Sequence, residues 1–493
     1  MTGPEHPAAE NPDTEERRTR LLAAAAVSLR GFSDILRPLG ELFTGAGHDL
    51  FLVGGSVRDA VLGRLSNDLD FTTDARPDVV IALLSGWADA IWDAGIEFGT
   101  VSARKGDLII EITTYRAEAY DRVGRNPVVT FGDTLDGDLV RRDFTVNAMA
   151  VRIGPDGAQE FCDPLEGMTA LLAGVIDTPA TPQESFDDDP LRMLRAVRFV
   201  SQLGFRLAPR VVEAITDMAG QIDRITAERV RVELDKLICG EYPIDGLEIM
   251  VDTGLADRVI PELPGMKLTI DEHHQHKDVY QHSLTVLRQA IDLEESDPDP
   301  VLRWAALLHD IGKPATRRHE AGGGVSFHHH EVVGAKMVRK RMRALKYPKV
   351  MVEDVATLVF LHLRSHGYGD GAWTDSAVRR YVTDAGELLD RLNKLVRADC
   401  TTRNKRRARR LQENYDDLER RIGALKAAED LGRVRPDLDG NAIMELLGLS
   451  PGREVGEAWK YLKELRLDRG PLPREEAEAA LLRWWADRGN VGD

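Results

Sequence analysis

Two aspartates, Asp68 and Asp70, stand one residue apart in the β-rich run "NDLDFTT" (residues 67–73). Side chains alternate between the two faces of a strand, so we expect both carboxylates on the same face. Two neighbouring carboxylates repel each other unless a positive charge lies between them. Carboxylate oxygens are hard ligands that suit Mg²⁺ held together with substrate phosphates. The pair therefore predicts a magnesium site.

The preceding segment, residues 49–66, reads as a strand, a glycine pair and a helix. Gly54 and Gly55 allow a ligand to approach the backbone closely. A helix that begins near Ser56 would turn its free N–H groups toward the same gap, which is typical of a phosphate site. Arg58 adds a guanidinium suited to phosphate oxygens. A phosphate cradle followed by metal carboxylates predicts phosphoryl or nucleotidyl transfer.

Glu111 is a candidate for a third carboxylate at this site. It lies between Ile110 and Ile112 in "LIIEITTYR" (residues 108–116) and is the polar member of an apolar strand. An outward-facing glutamate on a half-exposed strand would give the same pattern. The sequence leaves both interpretations open.

The run "LVGGSVRDAVLG…NDLDFTT" resembles the head of the nucleotidyltransferase superfamily. The matching branch contains the bacterial and eukaryotic CCA-adding tRNA nucleotidyltransferases and the bacterial poly(A) polymerases. Further motifs of that branch follow in order: "RRDFTVNAMA" (141–150), "DPLEG" (163–167), "DDDPLRMLRAVRF" (187–199) and "AERVRVELDKLI" (227–238). The resemblance covers residues 50–265. It implies tRNA, CTP and ATP as partners and Mg²⁺ as cofactor. Asp68 and Asp70 are the predicted catalytic residues, and Glu111 is the candidate third.

The motif at 187–199 can first be interpreted from its residues alone. Pro190 suits the first position of a helix and Asp189 the N-cap. Arginines spaced by three could form a salt-bridged surface, yet arginine and aspartate together can also match a base edge. The family resemblance implies that second use, although Asp188 replaces the usual glutamate. It assigns nucleotide binding to Gly54, Gly55, Arg58, Arg142, Asp143, Asp189, Arg192, Arg195 and Arg198.

CCA-adding enzymes and bacterial poly(A) polymerases share all these motifs. Residues 94–101, "AGIEFGTV", resemble the CCA-adding pattern, and the basic segment that marks the poly(A) polymerases is not apparent. The sequence therefore favours CCA addition, with poly(A) polymerase as the alternative. It does not decide whether one chain adds both C and A.

A second cluster of chemistry-bearing residues follows residue 280. His282, the adjacent pair His309 and Asp310, and Asp399 lie in three separate helical segments and match the ligands of the HD phosphohydrolase domain. His330 and His362 match the extra ligands of its two-metal variants, which implies a divalent transition metal. The resemblance implies phosphomonoesterase or 2′,3′-cyclic phosphodiesterase activity. We interpret His273, His274 and His276 as solvated loop residues. A phosphohydrolase whose head only binds nucleotide is the alternative of another class.

Charge and composition set broader limits. The 493 residues carry a net charge of −17, yet residues 336–349 and 403–410 are strongly basic and predict contact with tRNA phosphates. Three separated cysteines, Cys162, Cys239 and Cys400, favour a reducing cytoplasm over a disulfide framework. No export signal or membrane span is apparent.

The predicted fold is α+β. We expect an N-terminal nucleotidyltransferase α/β head with a mixed sheet, followed only by helical regions. The predicted segments are a disordered tail (1–18), the head with a leading helix (19–180), a helical nucleotide-selecting neck (181–265), an HD-like helical domain (266–400) and a helical tRNA-binding region (401–493).

Overall fold

The computed structural model describes residues 12–92, 95–117, 130–132, 134–267, 278–320, 325–365, 368, 373–401, 404–428 and 435–489. The chain divides into two compact units. Unit 1 contains Met1–Arg229 and Gly240–Arg258, and unit 2 contains Val230–Cys239 and Val259–Asp493. The predicted segments follow one another along the chain, whereas this division interleaves the two units between residues 230 and 258.

The N-terminus differs from the predicted disordered tail. Helix α1 covers Pro12–Arg30, so residues 12–18 are helical, while residues 1–11 lie outside the described part of the chain. An ion pair between Glu16 and Arg20, one turn apart, supports the early turns, and acidic side chains near an N-terminus favour the helix dipole. Helix α2 follows at Ser33–Gly45 and packs on the head sheet.

The head is built on a seven-stranded sheet with strand order β3-β4-β5-β2-β1-β8-β9. Its strands are β1 Leu50–Val53, β2 Asp68–Thr73, β3 Ala90–Trp92, β4 Thr100–Lys105, β5 Leu108–Thr114, β8 Ala150–Gly154 and β9 Gly157–Cys162; β6 Arg116–Ala117 and β7 Thr130–Phe131 form a separate pair. Strands β2 and β5 are parallel and all other neighbours are antiparallel, so the sheet is mixed as predicted.

The two faces of this sheet differ in character. On one face Phe71, Ile110 and Val101 are fully buried, and helix α4 (Pro77–Leu84) packs there. On the other face the alternate residues Asp70 and Glu111 are exposed. The strand alternation thus separates a hydrophobic core from a polar working surface.

Helices and short strands complete the first half of the chain. They are α3 Gly55–Val61, α5 Leu135–Val140, α6 Gly167–Ala173, β10 Val175–Ile176, α7 Pro182–Asp188, α8 Leu191–Leu203, β11 Arg206–Leu207, α9 Pro209–Met218, α10 Ala227–Ile238, α11 Pro243–Asp252 and α12 Leu255–Val259. Short 3₁₀ helices cover Ile96–Phe98, Thr145–Asn147 and Ala219–Arg224. The neck is helical except for β11, because Gly204 (φ +67°) ends α8 and turns the chain alongside β10.

In the rest of the chain, the described residues are helical apart from loops and one small hairpin. Its elements are α13 Val279–Ile291, α14 Pro300–Leu308, α15 Lys313–Thr316, β12 Arg318–His319, β13 Val325–Ser326, α16 His330–Ala344, α17 Lys349–Leu361, α18 Asp375–Ala385, α19 Leu389–Ala398, α20 Lys405–Ala428, α21 Gly440–Leu447, α22 Arg453–Arg469 and α23 Arg474–Gly489, with 3₁₀ turns at Pro264–Met266 and Gly386–Leu388. None of the helices in the described ranges is long and apolar enough to cross a bilayer.

Candidate active sites

Three carboxylates share the open face of the head sheet. The parallel register of β2 and β5 sets Asp70 directly opposite Glu111, and Asp68 follows two residues away on the same face. All three side chains are exposed, and within the described ranges none forms an ion pair with a cation. A set of hard oxygen donors without a cationic partner fits a bound divalent metal.

Ser56 fixes the glycine turn against the carboxylate strand. Its Oγ accepts a hydrogen bond from the Asp70 backbone N–H at 3.0 Å and donates to the Asp68 carbonyl at 3.3 Å. The side chain is buried, so these bonds are shielded from water. The start of α3 and the two aspartates therefore form one rigid unit.

Asp70 has a perturbed pKa even though its side chain reaches solvent. The protein packed around the carboxylate partly desolvates it, and the Glu111 carboxylate adds repulsion. Together these effects raise the pKa of Asp70 to about 6, against the attraction of Arg142. A proton therefore competes with a cation for this group in weakly acidic solution.

We predict that Mg²⁺ binding in the head weakens as the pH falls below about 6. Asp70 is then protonated, and each further pH unit lowers the apparent Mg²⁺ affinity up to about tenfold, since one proton is displaced per ion bound. Mg²⁺ titration of the whole chain between pH 5 and 7.5 measures this. The Glu111→Gln variant removes the neighbouring charge and should move the loss to lower pH; an affinity that is constant over this range would contradict the prediction.

Gly54 and Arg142 lie against each other beside the carboxylates. Gly54 has φ +68°, and a Cβ at this position would come within 2.8 Å of Nη1 of Arg142. Only glycine fits both the backbone conformation and the space. An ion pair with the buried Asp138 at 3.0 Å anchors Arg142. Its guanidinium is therefore held as a positive charge beside the glycine turn.

Arg58 occupies a different environment from the one its sequence position suggested. Its guanidinium is buried, donates to both carboxylate oxygens of Asp59 and to Oδ1 of Asn147, and lies 5.0 Å from the Phe199 ring centre. These contacts use most of its donors. The structure places Arg58 as a group that locks α3 to the rest of the head.

Asp143 and Arg195, both predicted nucleotide-binding residues, form an ion pair between a buried carboxylate and a half-buried guanidinium. Nε and Nη2 of Arg195 donate to Oδ2 of Asp143 at 2.9 and 2.5 Å, and Asn147 donates to Oδ1. Burial would raise the pKa of Asp143, but Arg195 and the Asn147 hydrogen bond outweigh it and lower the pKa to about 2. The carboxylate is therefore ionised at any physiological pH and orients Arg195.

The motif at 187–199 presents its polar groups at the start of α8. The helix begins at Leu191, one residue later than predicted, and Asp189 accepts a hydrogen bond from the Leu191 N–H at 3.1 Å. Its other oxygen pairs with Arg229 at 2.7 Å. Arg192 is held by Ser185, Asp188 and the Arg141 carbonyl.

Arg198 completes the motif from the buried side. It is almost fully buried and stacks 4.1 Å from the Phe199 ring centre, and Phe144 meets that ring edge-on. Of the arginines in this motif, Arg192 and Arg195 are the more accessible. The structure brings all the predicted head residues into unit 1.

The second cluster gathers six predicted ligands from five helices of unit 2. His282 lies within α13; His309 and Asp310 follow the end of α14, and His330 starts α16. The last two, His362 and Asp399, immediately follow α17 and α19. Side chains from separate helices therefore converge as the sequence predicted.

Asp310 joins two groups of ligands. Its Oδ2 lies 3.5 Å from Nε2 of His282 and 3.3 Å from Nε2 of His309. Its Oδ1 lies 3.3 Å from Nε2 of His330 and 3.9 Å from Nε2 of His362. Each group has the compactness of a metal site. One carboxylate that serves two groups is the arrangement that a pair of neighbouring metal ions requires.

Asp399 extends the first group. Its Oδ1 lies 2.9 Å from Nε2 of His282 and 3.5 Å from Nε2 of His309. Asp399 is thus the fourth donor beside His282, His309 and Asp310. Mixed imidazole and carboxylate donors favour transition metals over Mg²⁺.

Backbone carbonyls set the orientation of three of these imidazoles. Nδ1 of His309, His330 and His362 lies 2.9, 2.8 and 2.6 Å from a carbonyl three residues earlier. A proton donated from Nδ1 leaves Nε2 as the metal-binding atom. For His282 the corresponding partner is the Thr401 hydroxyl at 3.2 Å.

Burial and neighbouring charges shift the pKa of His309 and of His362 in opposite directions. Burial opposes ionisation of His309, but Asp310 and Asp399 raise its pKa to about 10. Burial and the charge on His309 lower the pKa of His362 to about 3. Binding of a metal must therefore displace a proton from His309.

Several residues in these sites were not identified from the sequence. Asn147 and Phe199 organise the arginines of the head, Arg229 pairs with Asp189, and Lys313 places its Nζ 2.5 Å from Oδ2 of Asp310. Lys313 follows the His-Asp pair by three residues, a helical spacing that could have indicated it. The others depend on contacts between distant segments. His273, His274 and His276 lie outside the described residues.

Comparison with known protein families identifies three regions. Residues 50–177 match the poly A polymerase head domain, residues 204–266 match the probable RNA and SrmB-binding site of polymerase A, and residues 279–404 match the HD domain. The chain is 34% identical to the A-adding tRNA nucleotidyltransferase of Deinococcus radiodurans over 88% of this chain and 95% of that enzyme.

Two further comparisons involve CCA-adding enzymes. The enzyme of Levilactobacillus brevis is 37% identical over 53% of this chain and 65% of its own length. The crystal structure of the Bacillus stearothermophilus CCA-adding enzyme in complex with CTP superimposes with a TM-score of 0.67 at 25% identity, covering 92% of this chain and 97% of that one.

Proposed function

Because the chain belongs to the tRNA nucleotidyltransferase family, we propose that it adds C and A residues to tRNA 3′ ends, using CTP and ATP without a nucleic-acid template. The observation that carries this proposal is the set of three exposed carboxylates, Asp68, Asp70 and Glu111, on one open sheet face. The CTP complex of a structural relative supports the choice of substrate.

In this mechanism the tRNA 3′-hydroxyl attacks the α-phosphate of the nucleotide and pyrophosphate leaves. Asp68 and Asp70, with Glu111, would hold Mg²⁺, which supplies positive charge to the reacting oxygens. Arg142 at the glycine turn attracts the triphosphate, and Arg195, oriented by Asp143, adds a second cation. Phosphoryl transfer asks mainly for positioning and charge neutralisation, which these groups provide.

Base selection would fall to Asp189 and Arg192. A carboxylate accepts from the exocyclic amino group of cytosine or adenine, and a guanidinium donates to the ring acceptors. Arg192 is held by three partners, and Arg229 holds Asp189, so both recognition groups are oriented in advance. A protein group that reads the base removes the need for a template strand.

Addition of the terminal A alone is a second candidate function. It is favoured by one observation: the relative matched over 95% of its length is an A-adding enzyme, whereas the match to the L. brevis CCA-adding enzyme covers 53% of this chain.

The deciding experiment gives the purified chain Mg²⁺ and tRNA that lacks its 3′ CCA, with CTP, ATP or both. Addition of two C and one A followed by arrest establishes CCA addition. Transfer of a single A only to tRNA that ends in CC establishes A addition. Long A tails from ATP alone would make the chain a poly(A) polymerase and overturn the proposal, as would no addition at all.

The second cluster is called the HD cluster from here on and consists of His282, His309, Asp310, His330, His362 and Asp399. It supports an accessory phosphohydrolase activity on RNA ends. Bound transition metals would activate water and polarise a phosphoryl group. Backbone carbonyls fix the orientation of the imidazoles. Lys313 places a cation beside Asp310, where it would attract a substrate phosphate. Release of phosphate from a 3′-phosphorylated RNA, or opening of a 2′,3′-cyclic phosphate, tests this activity.

We propose that the start of α20 contacts tRNA phosphates. Arg406, Arg407 and Arg409 are exposed, and none has an acidic partner within 4 Å among the described residues. The other basic run differs, because Arg339 and Arg343 pair with Glu353 and Arg341 pairs with Glu262. Only its lysines remain for an anionic partner, so α20 is the stronger candidate.

Reversal of Arg406, Arg407 and Arg409 to glutamate should weaken tRNA binding. Each lost phosphate contact reduces the slope of log affinity against log salt by about 0.7 to 0.9. Equilibrium binding of tRNA at several salt concentrations measures both effects. The matched control reverses Arg17, Arg30 and Arg37, exposed cations of α1 and α2 outside the predicted tRNA-binding region. Equal effects of the two triple variants would show a general charge effect and contradict a specific contact.

A further inference from the structure

Large apolar side chains are concentrated on the surface near the head carboxylates. Trp92, Ile96, Phe98 and Ile109 are each between 39% and 46% exposed, and all lie within residues 92–109. Exposure of this much apolar surface in a short segment is unusual unless a partner covers it. Ile96 and Phe98 belong to the segment 94–101 that resembles the CCA-adding pattern, and Ile109 lies two residues before Glu111.

The strand register places Trp92 and Ile109 on the face that carries the carboxylates. Trp92 lies opposite Ser102, which lies opposite Glu111, which in turn lies opposite Asp70. In the next row Ile109 lies between Asp68 and Arg104. Four neighbouring strands therefore form a continuous surface that runs from the aspartates to Trp92.

The two halves of this sheet face are covered differently. At β1, Phe51 and Val53 are buried in a hydrophobic cluster that includes Leu139. From β2 to β3 the corresponding residues, Asp70, Glu111 and Trp92, are exposed. Arg104 is also exposed there and has no acidic partner within 4 Å in the described ranges. The open half thus combines apolar surface with one cation.

The direction of the proposed reaction indicates which substrate approaches over the open half of the sheet face. Gly54, Arg142 and the start of α3 lie on the β1 side of the carboxylates, so the triphosphate belongs there. In phosphoryl transfer the attacking and leaving oxygens lie roughly in line on opposite sides of the phosphorus. The hydroxyl-bearing RNA end must therefore approach over β5, β4 and β3.

We propose that Trp92 and Ile109, with Arg104, form a platform for the 3′-terminal unpaired bases of the acceptor RNA. Neighbouring strands are about 4.8 Å apart, so Trp92 lies roughly 14 Å from Asp70, within reach of the last two nucleotides. Stacking on an indole tolerates every base. That tolerance suits an acceptor whose terminal base changes after each addition. Arg104 would meet a backbone phosphate.

This inference rests on the proposed function, so binding is measured without nucleotide. The full chain and its Trp92→Ala variant are titrated with tRNA that ends in CC, in which the last two nucleotides are unpaired. We expect at least about a fivefold loss of affinity, because base stacking on an aromatic side chain is worth about 1–3 kcal/mol. Trp92→Phe should retain most of the affinity. Trp87→Phe, a half-buried tryptophan of the same head, is the matched control.

An abasic nucleotide at the last or the penultimate RNA position separates stacking from structural damage. If Trp92 stacks on a base, the Trp92→Ala effect disappears with one of the two abasic RNAs. An effect of equal size with all RNAs overturns the proposal. Loss of self-association in Trp92→Ala with unchanged RNA affinity also overturns it, since the face would then serve a second copy.

Kinetics provide a second readout. Trp92→Ala should raise the KM for tRNA and leave the KM for CTP and ATP unchanged, whereas a raised nucleotide KM would overturn the assigned direction. If the wild-type chain extends no tRNA, the proposed function fails. The binding comparison with abasic RNA still supports or rejects the platform.

Discussion

Replacement of Asp70 by asparagine is expected to abolish nucleotide transfer to tRNA, with a loss of at least about 10³-fold. Asp70 lies opposite Glu111 and beside Asp68, and the three carboxylates offer the oxygen ligands that hold Mg²⁺ in the proposed mechanism. Loss of one ligand removes several kcal/mol of charge stabilisation, and 1.4 kcal/mol corresponds to tenfold in rate. Single-turnover extension of tRNA lacking CCA measures the loss.

The control for this variant is Asp107→Asn, which removes the same charge from the exposed turn between β4 and β5. We expect it to keep full activity. The proposed phosphohydrolase activity should also be unchanged in Asp70→Asn, because the metal ligands of the HD cluster lie in unit 2. Full transfer activity in Asp70→Asn would remove the carboxylate site from the mechanism and favour a head that only binds nucleotide.

Replacement of Asp310 by asparagine is expected to remove metal bound at the HD cluster and to abolish the proposed phosphohydrolase activity. The two oxygens of Asp310 serve both groups of histidines, so no other single substitution affects both groups directly. An amide is a much weaker ligand than a carboxylate for a divalent transition metal. Metal analysis of the purified protein and phosphate release from 3′-phosphorylated RNA measure the two effects.

Asp390→Asn is the matched control, because Asp390 is an exposed aspartate at the start of α19 that pairs with Lys394. It should retain metal and activity. Transfer of C and A to tRNA should persist in Asp310→Asn, since the carboxylates proposed for transfer lie in unit 1. Retained metal with lost phosphohydrolase activity would instead limit Asp310 to a role in the chemistry. Retention of both would contradict the prediction.

Together, the Asp70→Asn and Asp310→Asn variants test whether the two activities belong to separate units. Each removes one carboxylate from one site and leaves the other site intact. Loss of both activities in either variant would point to unfolding, which thermal denaturation detects. Loss of a single activity in each assigns the chemistry to separate sites of one chain.

Features that depend on local spacing were predictable from the amino-acid sequence alone. A two-residue period is enough to place Asp68 and Asp70 on one strand face, and the ordered motifs were enough to identify the nucleotidyltransferase resemblance, the mixed α+β fold and the HD domain. The extent of the N-terminal tail was wrong, because helix α1 already begins at Pro12. Its helix-forming, charged residues resemble those of a disordered segment in composition alone.

The contacts between distant segments were not predictable from spacing along the chain. Glu111 gained its position beside Asp70 from the pairing of β5 with β2, two strands that are separated in sequence by β3 and β4. Arg58 became a locking group because Asn147 and Phe199 come from other elements. Asp310 became the shared ligand because α16 and α17 bring His330 and His362 to its second oxygen. Spacing along a chain fixes which face a side chain takes, whereas long-range packing fixes which partner it finds there.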